Sequence, residues 1–223
     1  MTKNIYCTLD TETFGGASKP KGIYHLAGLI HDRQGNILAT FNYLIMEHYN
    51  EIQTDSYAKK NFYRYQNYVA NGITTAIPTE QDAINNVKAL YNYYNVKYSM
   101  AFNTGFDFCK TKCKELLEIS EFIDIWLMAL ETLAQQKKYQ RFCLQNDYLS
   151  QSKKTCSTTA ETFYRYLTGN TDFLEEHTAF EDSKIEMIIF LECLKKHTKF
   201  TKNCHCFDYE KRFKLFSQLA LNK

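Results

Sequence analysis

The order of patterns along the chain predicts an α/β fold: one mixed sheet with helices on its faces. Three observations carry this. Strand-like segments open the chain, the second and third joined by a tight turn, as in an antiparallel meander. Helical and strand patterns then alternate, which adds parallel strands and their covering helices. A very apolar helical segment at 180–196 needs a sheet face to bury it.

The first strand starts at Ile5, where Ile5, Cys7 and Leu9 alternate with polar residues, and it breaks at Gly15 and Gly16. The second and third strands are read at 23–30 and 37–46, with the turn 31–36 between them and Gly35 free to take a positive φ. His25, His31 and His48 are read as strand or surface histidines rather than ligands. In 49–76 the aromatics Tyr57, Phe62, Tyr63, Tyr65 and Tyr68 are interleaved with Lys59, Lys60 and Arg64. Such a stretch either stacks bases and holds phosphates or is a helix laying its aromatic face on the sheet, and the helix is preferred. Thr79 caps a helix running to about Tyr94, with Asp82 three residues on.

A short strand at 98–102 is broken at 103–105, and Phe106 and Asp107 open a helix whose apolar face includes Phe108 and Leu116. A further strand is read at 122–125. Residues 126–150 read as helical and then irregular, 158–167 as a helix stopped by Gly169 and Asn170, and 180–196 as the long buried helix.

With 223 residues and 44% hydrophobic content, the chain can bury a sizeable core without staples. The 17 Tyr and 16 Phe exclude disorder of the whole chain. A net charge of +2 does not announce a nucleic-acid binder, so any such surface has to be local. No apolar run is long enough to span a bilayer, and Met1 to Asn4 lead into the first strand without an apolar leader. The expectation is a cytoplasmic protein with no membrane partner, its 8 cysteines mostly thiols.

Chemistry enters with the acids. Side chains two apart on a strand share a face, so Asp10 and Glu12 aim two carboxylates at one point. Such a pair repels, and a hard divalent cation removes the conflict. Asp107 follows a later strand just past a glycine, and Asp182 enters the last long helix on its first turn, where the helix dipole favours negative charge. His177 lies five residues earlier, in the loop.

Asp10-x-Glu12, Asn103-x-x-Phe106-Asp107 and His177-x-Ala179-x-x-Asp182 resemble the three exonuclease motifs of the DEDDh superfamily. This proofreading-exonuclease-like group includes the polymerase III epsilon subunit, ribonuclease T and oligoribonuclease. Each motif is short, and the weight lies in their order and in the strand or helix that carries each. The likeness spans residues 4–195, and His25 to Gly28 and the helix before His177 are similar to the family's as well.

The resemblance implies a ribonuclease-H-like fold over 1–196 and a two-metal 3′→5′ exonuclease using Mg²⁺ or Mn²⁺. By the same likeness Asp10, Glu12 and Asp182 hold the first cation, which activates water. Asp10 bridges to the second, with Asp107 on that side. His177 is the general base; an imidazole's unperturbed pKa of about 6.5 suits proton abstraction near neutral pH. Thr13 and Phe14 are assigned to substrate, with Phe14 able to stack on the terminal base. Asn103 either positions the scissile nucleotide or ends its strand. Phe14, where many relatives have Thr or Ser, and the long loop from Gly15 to Gly22 depart from the family pattern.

The expected substrate is a single-stranded nucleic-acid 3′ end, DNA ahead of RNA, released as nucleoside 5′-monophosphates. RNA 3′-end trimming is the nearest alternative. A polymerase-associated proofreading subunit and a silent binding module are the others, so a DNA polymerase or a second copy is a candidate partner. Residues 197–223 form a basic appendage, read as helical from Tyr209 to Leu221. Cys193, His197, Cys204 and Cys206 are a candidate structural zinc set, set against the alternative of free thiols.

Overall fold

The computed structural model describes residues 4–16 and 19–196. The meander is β1 (Ile5–Phe14), β2 (Gly22–Asp32) and β3 (Ile37–Ile45), with both pairings antiparallel. Then come α1 (Tyr49–Ile52), α2 (Ser56–Ala70), β4 (Thr75–Ile77) and α3 (Glu80–Tyr94). β5 (Val96–Ala101), α4 (Thr104–Asp107), a 3₁₀ turn at Lys112–Glu118 and β6 (Glu121–Asp124) follow. α5 (Ile125–Ala129) passes through a π-helical turn, Leu130–Ala134, into α6 (Lys137–Gln145). α7 (Ala160–Thr168) and α8 (Ala179–Lys196) complete the described chain.

The six strands lie in the order β4-β3-β2-β1-β5-β6. β5 runs parallel to β1, β6 to β5 and β4 to β3, so the sheet is mixed, as expected. β1 sits near the middle, antiparallel to one neighbour and parallel to the other. Cys7 and Leu9 point to the face covered by α3, among Ala83, Ile84 and Val87. Tyr6 points to the other face, where it packs with Met100, Ile189 and Phe190 of β5 and α8. Strand periodicity puts Asp10 and Glu12 on that α8 face.

α8 is apolar because it is a core helix: Ile189 and Phe190 are fully buried, each contributing about 1.5–3 kcal/mol relative to exposure. Its first turn is capped by Thr178, whose Oγ1 accepts from the Glu181 N–H at 3.3 Å. Thr79 caps α3 through the Asp82 N–H, as the sequence pattern predicts. The small residue Gly28 in β2 has a packing cause: a Cβ there would stand 2.7 Å from the Thr8 carbonyl oxygen and 2.6 Å from the Phe41 ring.

Two expectations change, at α4 and β4, and others stand. The helix expected from Phe106 is only the single turn α4, because Asn103 at φ 75° starts it and the chain leaves for the 3₁₀ turn. β4 was not anticipated, since three residues give no periodicity to read. The aromatic stretch 49–76 is chiefly helix α2, with Phe62 and Tyr65 buried and Tyr57 and Tyr63 exposed. No described helix is long and apolar enough to cross a membrane. The appendage 197–223, with His197, Cys204 and Cys206, lies outside the described residues. Cys193 is fully buried on α8, its thiol 3.0 Å from Thr132 Oγ1, so it faces the core.

Candidate active site

β1, α8 and α4 bring their acids to one end of the sheet. Carboxylate oxygens of Asp10, Glu12 and Asp182 all lie within 4.8 Å of one another. Glu175, His177 and Asp182 form a second such group, so Asp182 is common to both. Asp107 stands outside these groups but close by. Thr11, on the opposite face of β1, donates its hydroxyl to Asp107 Oδ1 at 2.6 Å and fixes that carboxylate.

A β-bulge adds a further partner. Glu12 pairs with His25 and Thr13 with Ile23, so Tyr24 is an extra residue in β2. Tyr24 and His25 can therefore share one face, and both rings meet Tyr65 of α2. The Tyr24 hydroxyl donates to Glu12 Oε2 at 3.3 Å.

His177 sits in a left-handed conformation, φ 53°, at a side-chain exposure of 64%. Its Nδ1 faces Glu175 Oε2 at 3.8 Å. Four bonds hold the loop from outside. Arg64 of α2 donates to the Glu176 carbonyl at 2.9 Å, and the Tyr65 hydroxyl reaches the His177 carbonyl at 3.5 Å. From α7, Arg165 Nε donates to the Phe173 carbonyl at 2.7 Å and Glu161 accepts from the Glu175 N–H at 2.8 Å.

Of the residues assigned to substrate, Phe14 is corrected. It is 4% exposed, packed on His48 and among Ile52, Phe62 and Tyr65, because α1 and α2 cover that end of the sheet face. Its ring has no free face for a base. Thr13 is half-buried beside the bulge. Asn103 ends its strand in the left-handed turn, a conformation that Asn tolerates. The spacing arguments passed over Glu175 and Glu186. Glu186 lies one turn beyond Asp182 on α8 and is 3% exposed. Its signal was available: a glutamate four residues from a site aspartate, inside an apolar helix.

The electrostatics follow from crowding. Burial raises the Asp10 carboxyl well above its ordinary range, and the charges of Asp107, Glu186, Asp182 and Glu12 add to it. Burial lifts Asp182 to about 9, with Glu175 and Glu12 contributing. Glu12 rises to about 7 through burial, against the Tyr24 hydrogen bond, and Asp107 to about 7 through burial, against the Thr11 bond. The acids offer only carboxylate oxygens, which suit a hard dication, and among the described residues Asp182 Oδ1 and Glu186 Oε2 are buried without a hydrogen-bond partner.

A pH prediction follows. Groups whose folded pKa is raised bind protons more tightly in the native state, so their stabilising contribution is complete below the ordinary value and is lost as pH rises through the folded one. For Asp182 that window runs from 3.8 to about 9, and for Glu12 from 4.5 to about 7. In EDTA the melting temperature should fall between about pH 5 and about pH 9, and Mg²⁺ should raise it more at the alkaline end. A cation effect equal at both ends would contradict the raised pKa values.

No protein-family model and no curated protein matches the chain. Among solved structures, a full-length 3′-exonuclease superposes with a TM-score of 0.54 at 15% identity, over 92% of this chain and 85% of that one. Exonuclease X in complex with 5′-overhanging duplex DNA gives 0.49 at 14% identity, over 90% of this chain and 97% of that one. Cell-death related nuclease 4 gives 0.47 at 15% identity, over 87% and 65%. The first of these likenesses extends over nearly all the described elements, and the sheet it covers has the mixed order and the acid-bearing central strand set out above. The chain therefore shares the fold of that 3′-exonuclease, an α/β architecture of the ribonuclease-H-like kind.

Proposed function

We propose that the chain is a divalent-cation-dependent 3′→5′ exonuclease acting on single-stranded nucleic-acid 3′ ends, DNA ahead of RNA, and releasing nucleoside 5′-monophosphates. The observation that carries the reading is the clustering of Asp10, Glu12 and Asp182 oxygens within 4.8 Å. The fold's likeness to a 3′-exonuclease supports it.

Asp10, Glu12 and Asp182 would hold one cation, and Asp10 with Asp107 a second. Bound there, such ions supply Lewis acidity, which makes water a nucleophile at neutral pH and offsets charge on the phosphate. The chain's own residues do the rest. Thr11 and Tyr24 orient Asp107 and Glu12 by hydrogen bonds, so the ligand oxygens need little rearrangement. His177 takes the proton of the attacking water as the new bond to phosphorus forms and the bond from phosphorus to the 3′ oxygen breaks. Its exposure lets the imidazole reach a bound strand, while Glu175 faces its other nitrogen.

Labelled single strands of DNA and RNA of one sequence, tagged at the 5′ end, test the proposal. With Mg²⁺ or Mn²⁺ they should shorten stepwise from the 3′ end, and EDTA should stop the reaction. Binding of both strands without cleavage would leave a nucleic-acid-binding module instead. The ratio of the two rates reads the sugar preference.

A further inference from the structure

A cavity of about 260 Å³ opens between the entry to β2 and the turn after α4. Lys21 lines one wall, and Lys110, Thr111, Lys112 and Lys114 line the other. Glu80 of α3 is the one carboxylate among the lining residues, against four lysines. It is 4% exposed and already engaged: its Oε1 accepts from the Ile23 N–H at 2.7 Å and stands 3.0 Å from His48 Nε2. Lys112 Nζ lies 3.8 Å from its other oxygen. The lining keeps a surplus of positive charge, and a cleft of one sign concentrates the opposite ion.

Both walls are tied to the candidate active site. The Lys21 N–H donates to the Phe14 carbonyl at 2.9 Å, at the end of the strand that carries Asp10 and Glu12. The Lys21 stem is laid over Gly15: a Cβ there would stand 2.6 Å from Lys21 Cγ, and the φ of 88° also suits glycine. On the other wall, Thr111 donates its hydroxyl to the Asp107 carbonyl and accepts the Cys113 N–H at 3.1 Å, which fixes the turn as it leaves α4. A strand rises about 3.3 Å per residue, so Phe14 lies on the order of 7 Å beyond Glu12. The cavity is thus a neighbour of the acids at the same end of the sheet, yet its lining includes none of them.

The chemistry of the lining selects phosphate, since a lysine ammonium is a compact point charge that binds phosphate oxygens. A net charge of +2 requires any nucleic-acid surface to be local, and this cavity is such a place. The Debye length is about 10 Å at 0.1 M salt, so these lysines act on phosphates that pass beside them rather than from afar.

We propose that this cavity holds backbone phosphates of the substrate strand, upstream of its 3′ end, with Lys21, Lys110, Lys112 and Lys114 as their partners. This rests on the nucleic-acid reading proposed above. The acids serve the end being cut, and the lysines hold the strand that remains. Lys21 comes from the Gly15 to Gly22 loop, the part of the chain that departs from the family pattern, so this hold is a feature of the chain's own loop.

Fluorescence anisotropy of a labelled single-stranded DNA in EDTA tests this without cleavage, with melting as a control on folding. Lys21→Ala combined with Lys112→Ala should bind at least about tenfold more weakly at low salt, and the slope of log affinity against log salt should shrink by about 1.4, the value of two single-strand phosphate contacts. Lys97→Ala combined with Lys195→Ala removes the same charge from exposed positions at the start of β5 and the end of α8, and should bind as wild type does. Cys109, an exposed thiol in the lining, reports on the place itself. Bound strand should slow its alkylation by iodoacetamide severalfold, read by mass spectrometry of its peptide.

Equal affinity of the Lys21/Lys112 variant and wild type, or alkylation of Cys109 unaffected by the strand, would overturn the proposal. Should that variant melt early, the protection of Cys109 in wild type decides alone. Inorganic phosphate is a separate arm: if it slowed the alkylation while the strand did not, the cavity would belong to a free phosphate compound and the strand assignment would fall. Strand binding and Cys109 protection as expected, in a wild type that cleaves nothing, would sink the exonuclease reading and leave the phosphate site standing.

Discussion

Asp10→Ala should lower 3′-end hydrolysis by roughly a thousandfold or more, the largest effect expected of any single change. Asp10 is the one acid shared by both proposed cation sites. Loss of metal-ion stabilisation is worth several kcal/mol, and each 1.36 kcal/mol is about tenfold in rate. The fold should not suffer. Asp10 is surrounded by Asp107, Glu186, Asp182 and Glu12, so its charge is repelled in the absence of cations. Asp10→Asn, which keeps the shape, should therefore melt higher than wild type in EDTA at neutral pH and lose the stabilisation by Mg²⁺. The gel assay reads the rate, and thermal melting with and without Mg²⁺ reads the rest. A residual rate within tenfold of wild type would remove Asp10 from the centre.

His177→Ala should cost on the order of 10²–10⁴ in rate, the usual contribution of a positioned general base. It should leave Mn²⁺ binding nearly intact, because the imidazole is 64% exposed and the carboxylates do the binding. The backbone complicates alanine: at φ 53° a residue with a Cβ is strained, and Ala has no side chain to offset it. His177→Asn serves as the cleaner variant, since Asn tolerates that conformation while it cannot act as a base at neutral pH. Both variants should lose the same factor and show a flatter dependence of rate on pH than wild type. Equal rates for Asn and wild type across neutral pH would assign the proton transfer elsewhere.

The sheet and the acid pair were legible because both rest on local periodicity. Cys7 and Leu9 alternate with Tyr6 and Thr8, and the same period of two put Asp10 beside Glu12. Asp107, His177 and Asp182 were legible only through the resemblance, since nothing local ties α4 or the His177 loop to β1. Phe14 was assigned to substrate because it follows the acid pair, but only the packing of α1 and α2 decides that the position is covered. Tyr24 depends on a bulge that the alternation of β2 does not reveal. Glu186 was passed over although it lies four residues from Asp182 inside an apolar helix, because an acid pair at that spacing weighs as a buried pair only once the burial of both is known. The tethers from Arg64 and Arg165 to the His177 loop join distant parts of the chain, and no pattern in either helix announces them.

The acids Asp10, Glu12 and Asp182 come from β1 and α8, the first strand and the last described helix, and α8 packs directly on β1 and β2. Contacts so distant along the chain form late, after the entropy of closing nearly the whole polypeptide has been overcome. A growing chain on the ribosome can pair β1 with β2 and β3 as soon as they emerge, yet it has no complete carboxylate cluster until α8 follows. Synthesis thus proceeds with the carboxylate cluster unassembled until α8 docks on the sheet.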